Sequence, residues 1–315
     1  MKTVSFDELG GQEGAPTALV TIGTFDGVHL GHQYLLRSAC DRARTANLRS
    51  YVATFEPIPA AVLRPEQFPG RICSAEEKLG ILDGFGFDRV IAIRFDRDLA
   101  ARSPEEFMER LAAATGLREL WIGETFALGR GRSGGVEELT QIGQRLDYRV
   151  NAVGRIEDQD GVISSSRVRQ AIHLGDVSLA NRLLGRPFRV TGVVIHGAQF
   201  GRTIGFPTAN VNPDPTQVPL ADGIYASRVL LTGSHPRLAM TYVGTRPSVN
   251  TGARQIETNV LDFSGDLYDQ TISVDILQRL RPDQYFPSID ALVAQLRHDE
   301  VVTREFFRGL GAETN

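Results

Sequence analysis

The 315-residue chain has few cysteines, no long hydrophobic run and no excess of positive charge. Cys40 and Cys73 have neither the spacing of metal ligands nor that of a redox pair, so we expect two isolated thiols in a reducing cytosol. No window reaches the roughly 18 consecutive apolar residues of a membrane helix. The N-terminus also lacks the apolar core of a signal peptide. We therefore expect a cytoplasmic protein with no membrane partner.

The formal net charge is −4 and the pI is about 5.9, whereas nucleic-acid-binding proteins are usually basic. The composition therefore predicts no nucleic-acid partner. It still permits ATP as a ligand, because a small anionic molecule needs only a local positive pocket. Hydrophobic residues make up 42% of the chain, which is enough for ordinary globular cores. The length predicts about two domains, and nothing in the sequence indicates an oligomeric state.

The first half alternates short apolar runs with helical patterns, which is typical of a parallel sheet with helices on both faces. The predicted strands are residues 18–22, 50–55, 89–95, 119–122 and 148–153. The predicted helices are residues 33–46, 75–85, 104–114 and 137–146, followed by a closing pair at 165–174 and 178–184.

After residue 187 the pattern changes to short apolar or alternating runs separated by turn clusters, which predicts a small antiparallel barrel. The runs are residues 188–195, 223–231, 238–243, 258–263 and 271–280. Residues 288–307 then predict one or two closing helices. We therefore expect two domains, residues 1–184 and 185–315.

The stretch T-F-D-G-V-H-L-G-H at 24–32 joins a predicted strand to the start of a predicted helix. A strand, a glycine-rich turn and a helix N-terminus form a phosphate site, where His29 and His32 can donate hydrogen bonds to a transferring phosphate. A histidine pair with this spacing on a helix often has no function, but this context favours nucleotidyl transfer from ATP. No third ligand is visible nearby, which disfavours a metal site. The other predicted phosphate-site residues are Gly23, Phe25, Gly27 and Gly31.

Two further segments supply candidate ligand contacts in this half. I-S-S-S-R-V-R at 163–169 begins a helix, where Ser164 and Ser165 offer donors and Arg169 can hold an outer phosphate, although an ordinary capped helix has the same pattern. The loop at 123–134 follows a strand, and ligands bind at the carboxyl ends of parallel strands. The alternative is a flexible basic loop. The residues of the 123–134 loop that are candidates to bind a charged ligand are Gly123, Thr125, Phe126 and Gly129.

The second half carries G-R-T-I-G-F-P-T-A-N at 201–210. Glycines allow the backbone to approach a phosphate chain, and Thr208 and Asn210 offer the hard oxygen atoms that Mg²⁺ prefers. Glu257 stands in a strand-like segment, where a glutamate is usually solvated. It becomes a candidate general base only if the fold brings it near Thr208 and Asn210. The residues predicted to bind ATP or Mg²⁺ are Gly197, Gly201, Gly205, Pro207, Thr208 and Asn210.

Taken together, these motifs resemble those of the prokaryotic bifunctional riboflavin kinase/FMN adenylyltransferase family, also called FAD synthetases. The three most specific ones occur in the family's order at residues 23–32, 163–169 and 201–210. Shorter supporting segments lie at 76–78, 183–187, 223–226, 244–247 and 267–268. The resemblance implies a Rossmann-like nucleotidyltransferase α/β domain with a parallel sheet. A six-stranded riboflavin kinase β-barrel with closing helices would follow it.

The resemblance also implies two ATP-dependent reactions, with Mg²⁺ as the cofactor. The barrel would phosphorylate riboflavin on its ribityl 5′-hydroxyl: Glu257 would take the proton, while Thr208 and Asn210 would hold Mg²⁺ and the ATP phosphates. The loop at 197–205 would cover those phosphates. The α/β domain would join FMN to the AMP part of a second ATP to give FAD and pyrophosphate. The residues implied in this second step are His29, His32, Ser165 and Arg169.

The chain departs from the family pattern at three positions of the α/β half. Ile58 stands where the family has the histidine of F-[ED]-P-H-P, Thr125 replaces a carboxylate or amide, and Leu128 replaces an aromatic residue. If the missing groups contact ATP or FMN, losing a hydrogen bond to a charged group costs roughly 1.5–3 kcal/mol. In that case we expect adenylation to be slower but retained, because His29, His32, Ser165 and Arg169 are all present. Three alternatives remain open: a riboflavin kinase with a weakened second domain, a flavin or nucleotide sensor without turnover, and a nucleotidyltransferase for another acceptor.

Overall fold

The computed structural model describes residues 3–4, 17–197, 199–231, 235–245 and 254–311. The chain divides by contacts into two compact units, Met1–Ser165 and Ser166–Asn315. The predicted closing helices at 165–174 and 178–184 are therefore counted almost entirely with the second unit. The boundary predicted between residues 184 and 185 separates two functional domains and stays a prediction. The division by contacts falls earlier, after Ser165.

The described part of the first unit contains a six-stranded sheet in which every neighbouring pair is parallel. Its strands are β1 (Thr3–Val4), β2 (Ala18–Gly23), β3 (Arg49–Glu56), β4 (Arg89–Arg94), β5 (Leu117–Gly123) and β6 (Arg149–Val153). Their order is β1-β4-β3-β2-β5-β6. A short antiparallel pair follows, β7 (Glu157–Asp158) and β8 (Gly161–Val162). The predicted parallel sheet is confirmed, and β1 is an additional strand at its edge.

Helices cover both faces of this sheet, because successive side chains of a strand point to opposite faces and both sets here are apolar. Val20 and Ile22 pack into one core, whereas Leu19 packs into the other. The helices are α1 (Leu30–Ala46), α2 (Pro59–Leu63), α3 (Ala75–Asp83), α4 (Arg97–Ala101), α5 (Pro104–Thr115) and α6 (Val136–Leu146). Helices α5 and α6 contribute to the first core, and α1 and α3 to the second.

The second unit begins with helices α7 (Ser165–Leu174) and α8 (Val177–Leu184). The first residue of α7, Ser165, is still counted with the first unit. They belong with the barrel because α8 hydrogen-bonds to it. The Asn181 amide donates to the carbonyl of Ile276 at 2.9 Å and accepts from the Phe188 N–H at 2.7 Å. A helix pair that looks like the end of the α/β half in sequence thus packs on the following domain.

Six antiparallel strands close into a barrel in the order β10-β13-β12-β11-β14-β9. They are β9 (Phe188–Ile195), β10 (Ala209–Pro213), β11 (Gly223–Leu230), β12 (Arg237–Gly244), β13 (Gln255–Val260) and β14 (Thr271–Pro282). The predicted barrel is confirmed, but β10 is a strand that the apolar pattern missed because it is short and contains two asparagines. The four-residue helix α9 (Phe200–Thr203) also lies in a segment predicted only as a loop.

A single helix, α10 (Ile289–Gly309), follows the barrel within the described residues, where one or two helices were predicted. Ser288 caps its N-terminus by accepting a hydrogen bond from the Ala291 N–H. Phe307 is fully buried near its C-terminus. Among the residues described here, no helix combines the length and apolar character needed to cross a membrane.

Gly192→Ala is expected to destabilise the barrel by about 1–3 kcal/mol, because overpacking forces neighbouring atoms apart. The added Cβ would overlap the carbonyl oxygen of Asn212 on the adjacent strand β10. Gly80→Ala in α3 is the control, since nothing lies within 4 Å of its added Cβ. Calorimetric unfolding should show a lower midpoint for Gly192→Ala alone. Equal midpoints for both variants would contradict this close approach of strands.

Candidate active sites

The turn that follows β2 has an unusual backbone conformation. Phe25, Gly27 and Val28 have positive φ angles of 48°, 76° and 40°. At Gly27 a side chain would also collide with Ile72, whose nearest atom is 2.9 Å from an ideal Cβ. The sequence G-T-F-D-G-V-H therefore folds into a compact left-handed turn that delivers His29 to the head of α1.

His29 serves as the N-cap of α1. Its Nδ1 accepts a hydrogen bond from the backbone N–H of His32 at 3.3 Å, so the neutral ring carries its proton on Nε2. The two imidazoles stack with centroids 3.7 Å apart and planes 20° apart, and the edge of Phe25 packs against His32. Helix capping thus sets the tautomer of His29 and the orientation of both rings.

Burial lowers the pKa of His32 well below its usual 6.5, and the neighbouring His29 and Lys78 lower it further. His32 is therefore neutral at pH 7. Its Nδ1 is one of the buried polar atoms that lack a hydrogen-bond partner within the described part of the chain. A buried, unpaired ring nitrogen beside a helix N-terminus is suited to contact a polar ligand.

A cavity of about 910 Å³ opens beside these histidines. This volume lies in the range of ligand-binding pockets. The predicted residues that line it are Gly23, Phe25, His29, Gly31, His32, Gly123, Thr125, Phe126, Gly129, Ser164 and Ser165. Gly27 is part of the turn but does not line the cavity. Arg169 belongs to the second unit, so its predicted phosphate contact stays a prediction.

Ser165 ties the start of α7 to the histidine turn. Its hydroxyl donates to the carbonyl oxygen of Asp26 at 3.0 Å. The Asp26 carboxylate in turn accepts from the backbone N–H of Ile72 at 3.0 Å. Two motifs separated by more than 130 residues in sequence therefore meet at one wall of the cavity, as the phosphate-site interpretation requires.

The loop at 123–134 has a defined backbone pairing. Leu128 and Gly134 exchange two backbone hydrogen bonds of 3.1 and 3.0 Å, and the Arg130 N–H donates to the carbonyl of Arg102 at 2.8 Å. Leu128 is buried in the core, and Thr125 is exposed on the cavity wall. Ile58 is buried and lies outside the lining residues. Two of the departures from the family pattern, Thr125 and Leu128, line the cavity, and of these two Thr125 is the exposed one.

The barrel site rests on the pairing of β10 with β13, which places Asn210 directly opposite Glu257. The Thr208 hydroxyl donates to Oε2 of Glu257 at 3.3 Å. Glu257 is only 4% exposed, which rules out the alternative of a solvated strand glutamate. The fold thus meets the condition under which Glu257 becomes a candidate general base.

The glycine-rich segment before β10 packs closely around these residues. An ideal Cβ on Gly197 would overlap the Asn210 amide, and one on Gly201 would overlap the carbonyl of Phe206. Gly205 has a positive φ of 83°, which a side chain would disfavour. The Pro207 carbonyl accepts a 2.7 Å hydrogen bond from the Asn259 amide. Each of these three glycines therefore occupies a position where a side chain would collide with a neighbour or strain the backbone.

A smaller cavity of about 130 Å³ lies against Thr208 and Glu257. Its apolar walls include Ile224, Met240, Phe286, Leu292 and Leu296. These residues come from β11, β12, α10 and the segment before α10. Sequence reasoning assigned none of them to a ligand site. Their apolar character predicts a core, and only the fold leaves a cleft among them.

Charged groups at the rim of the barrel cavity were also missed. The Arg281 guanidinium forms an ion pair with the buried Asp299 at 2.7 Å and packs over the Phe286 ring. The Tyr242 hydroxyl donates to the Asp283 carboxylate at 3.0 Å. The one available signal is a charged and aromatic run, R-P-D-Q-Y-F at 281–286, at the end of a strand.

Two family models match successive parts of the chain. A family model described as FAD synthetase matches residues 12–167, and one described as riboflavin kinase matches residues 184–307. The bifunctional riboflavin kinase/FMN adenylyltransferase of Escherichia coli (strain K12) is 39% identical over 297 residues, which cover 94% of each chain. The chain belongs to this family.

A second relative of the same description, from Pseudomonas fluorescens, is 38% identical over 289 residues, which cover 91% of this chain and 92% of the relative. A crystal structure described as a macrolide-efflux protein from Streptococcus pneumoniae superposes with a TM-score of 0.85 at 33% identity. That match covers 96% of this chain and 99% of the other. The family fold therefore extends over nearly the whole chain.

The imidazole of His32 is expected to titrate below pH 6.5 in the folded protein, since burial penalises its charged form. Proton NMR against pH, with His32→Asn to assign the signal, measures this directly. Between pH 6.5 and the lower folded value, the unfolded chain binds the proton more tightly, so folding stability should increase with pH. His32→Asn should remove that part of the pH dependence. A midpoint at or above 6.5 would contradict the buried neutral ring.

Proposed function

We propose that the chain makes flavin cofactors in two ATP-dependent steps, first from riboflavin to FMN in the barrel and then from FMN to FAD in the α/β unit. The observation that carries the proposal is that each unit has its own cavity bordered by its own reactive groups. In the barrel these are Glu257 and Thr208, and in the α/β unit they are the stacked histidines. Family membership supplies the substrates. A cytoplasmic location is part of the same proposal.

In the kinase step, the apolar walls of the barrel cavity offer a contact surface for part of the isoalloxazine ring, and Glu257 lines the same cavity. The Glu257 carboxylate accepts the proton of the ribityl 5′-hydroxyl while that oxygen attacks the γ-phosphorus of ATP and ADP leaves. The hydrogen bond from Thr208 helps to fix the orientation of this carboxylate beside the cavity. Positioning and charge stabilisation carry the rate, with no covalent enzyme intermediate.

Mg²⁺ fits the donor set of this site. No cluster of three or more histidine, cysteine, aspartate or glutamate side chains suited to a metal occurs among the described residues. Thr208 and Asn210 offer neutral oxygen atoms, and Mg²⁺ commonly takes few protein ligands together with substrate phosphates. When bound, the ion neutralises charge on the ATP phosphates. The glycines of the 197–205 segment allow backbone N–H groups to approach the same phosphates.

In the adenylyl-transfer step, a phosphate oxygen of FMN attacks the α-phosphorus of ATP. The bond between the α-phosphorus and the oxygen that bridges the α- and β-phosphates breaks, and pyrophosphate leaves with that oxygen. The Nε2–H of His29 donates to the α-phosphate, and His32 stabilises the same group. The N-terminus of α1 adds its positive dipole end. Ser164 and Ser165 hold the outer phosphates, and the family resemblance implies a phosphate-binding role for Arg169 as well. The reaction needs no general base, since the attacking phosphate is already anionic.

A riboflavin kinase with a weakened adenylyltransferase unit is the second candidate, and a specific observation favours it. Thr125, which replaces the family's carboxylate or amide, lies on the wall of the large cavity. The sensor without turnover is less favoured, because Glu257 and Thr208 are assembled as a reactive pair. An acceptor other than a flavin is disfavoured by the kinase barrel in the same chain.

Glu257→Gln is expected to reduce FMN formation by about 10²–10⁴-fold, the usual contribution of a general base, while supplied FMN is still converted to FAD. His29→Ala is expected to do the reverse and lower FAD formation by about 10²–10³-fold. Chromatographic separation of flavins, starting from riboflavin or from FMN, measures both. Glu305→Gln on the exposed face of α10 is the control. Full kinase activity in Glu257→Gln would refute the role of this carboxylate.

Thr125→Asn is expected to increase FAD formation by up to about tenfold, because it restores a hydrogen-bonding group to the cavity wall. Ile58→His should bring no gain, since that position is buried and outside the lining. The rate of FAD formation from FMN and ATP decides between them. A gain from Ile58→His alone would reverse this ranking of the two departures.

A further inference from the structure

The E-E-K segment at 76–78 is part of the family resemblance, but neither proposed reaction gives it a role. It lies in α3, whose first turn is capped by the Ser74 hydroxyl. Lys78 has no exposed surface at all. A fully buried lysine is rare, because its ammonium must lose its water shell. The contacts that replace the water shell of Lys78 show which parts of the chain it joins.

The Lys78 ammonium has three partners, which matches its three N–H donors. It donates to the carbonyl oxygen of Thr24 at 3.2 Å and to that of Phe55 at 2.9 Å, and it pairs with the Glu56 carboxylate at 2.8 Å. Thr24 directly follows β2, whereas Phe55 and Glu56 end β3. One buried cation thus joins the carboxyl ends of two adjacent strands.

Glu56 binds a second cation from the chain segment that precedes α3. Arg71 contacts its carboxylate at 2.8 Å and also donates to the carbonyl of Cys73 at 2.6 Å. Burial lowers the pKa of Lys78, and Glu56 acts in the opposite direction. Buried ion pairs are seldom more stabilising than apolar side chains of the same size. The buried triad of Lys78, Glu56 and Arg71 therefore indicates that these groups serve to hold nearby parts of the chain in place.

The element that needs positioning is the left-handed turn formed by Phe25, Gly27 and Val28. Such backbone strain persists only where the surrounding structure over-determines it, and it concentrates at functional sites. The carbonyl of Thr24, which opens this turn, accepts from Lys78 and from the Thr54 hydroxyl at 3.1 Å. Lys78 is the partner that links the turn to both β3 and α3.

We infer that Lys78 is a positioning residue for the adenylyl-transfer site, where it holds the turn that carries His29 and His32 and presents a fixed positive charge behind them. This inference rests on the proposed adenylyltransferase function. Lys78 touches neither ATP nor FMN in this assignment, and acts only through the two histidines.

The charge of Lys78 has a second consequence, for the protonation of His32. The groups around His32 are the edge of Phe25, the stacked ring of His29 and the more distant ammonium of Lys78. Burial, His29 and Lys78 each lower the pKa of His32. Removing the ammonium should therefore raise that pKa, which a purely structural role for Lys78 would not require.

Lys78→Met removes the charge and all three polar contacts while keeping a long unbranched side chain. The kcat for FAD formation from FMN and ATP is expected to fall by roughly 10–100-fold, the effect of slightly misplaced groups, with a smaller change in KM for ATP. FMN formation from riboflavin should be unchanged. Arg42→Met is the control, because it removes another ion-paired cation about 18 Å along α1 from Leu30 and should leave both rates unchanged.

The double variant with His32→Ala separates positioning from general damage. If Lys78 acts through His32, Lys78→Met should cost much less in the His32→Ala background, and in single-variant NMR the His32 midpoint should move to higher pH. Equal losses in both backgrounds, or a wild-type rate in Lys78→Met, would overturn the inference. Absence of FAD formation by the unmodified chain would instead refute the proposed function.

Thr54→Val provides the same test if Lys78→Met does not fold by circular dichroism. It removes only the hydroxyl bond to Thr24 and nearly preserves side-chain volume. The expected loss of FAD formation is about two- to tenfold, the equivalent of one ordinary hydrogen bond, and it too should shrink in the His32→Ala background. An unchanged rate in Thr54→Val would show that the turn needs no support at Thr24.

Discussion

The parallel pairing of β2 with its neighbours β3 and β5 is the constraint on which the α/β site depends. It aligns Gly23 with Thr54 at the carboxyl edge of the sheet, and β5 ends at the same edge with Gly123. The histidine turn, the buried Lys78 and the 123–134 loop all start from these strand ends. Because ligands in open parallel sheets bind at this edge, the sheet determines where the cavity lies before any side chain is considered.

In the barrel, the register of antiparallel strands brings the site residues together. Thr208 and Asn210 are 49 and 47 residues before Glu257, yet the pairing of β10 with β13 places Asn210 opposite Glu257 and the Thr208 hydroxyl against the carboxylate. A shift of one residue would turn these side chains to opposite faces of the strands. The chemistry of the barrel therefore depends on strand register as much as on residue type.

The two sites also use charge differently. In the α/β unit the stacked imidazoles line the cavity, and backbone carbonyls and Glu56 hold the buried ammonium of Lys78 near them, so positive potential is supplied without a mobile side chain. In the barrel a buried carboxylate is oriented by a hydroxyl, and the guanidinium of Arg281 is held at the rim by Asp299. The net charge of the chain reflects neither arrangement, because both are local.

The sequence by itself determined the fold classes of the two halves and singled out the turns proposed to bind phosphate and the candidate reactive side chains, because each depends on local periodicity, glycine placement and residue chemistry. Tertiary structure decided that α7 and α8 pack largely with the barrel, that the polar segment 209–213 forms strand β10, and that Lys78 supports the histidine turn. It also shaped the apolar walls of the barrel cavity from four separate elements. These features arise from contacts between residues far apart in the chain, whose register and burial no short pattern encodes.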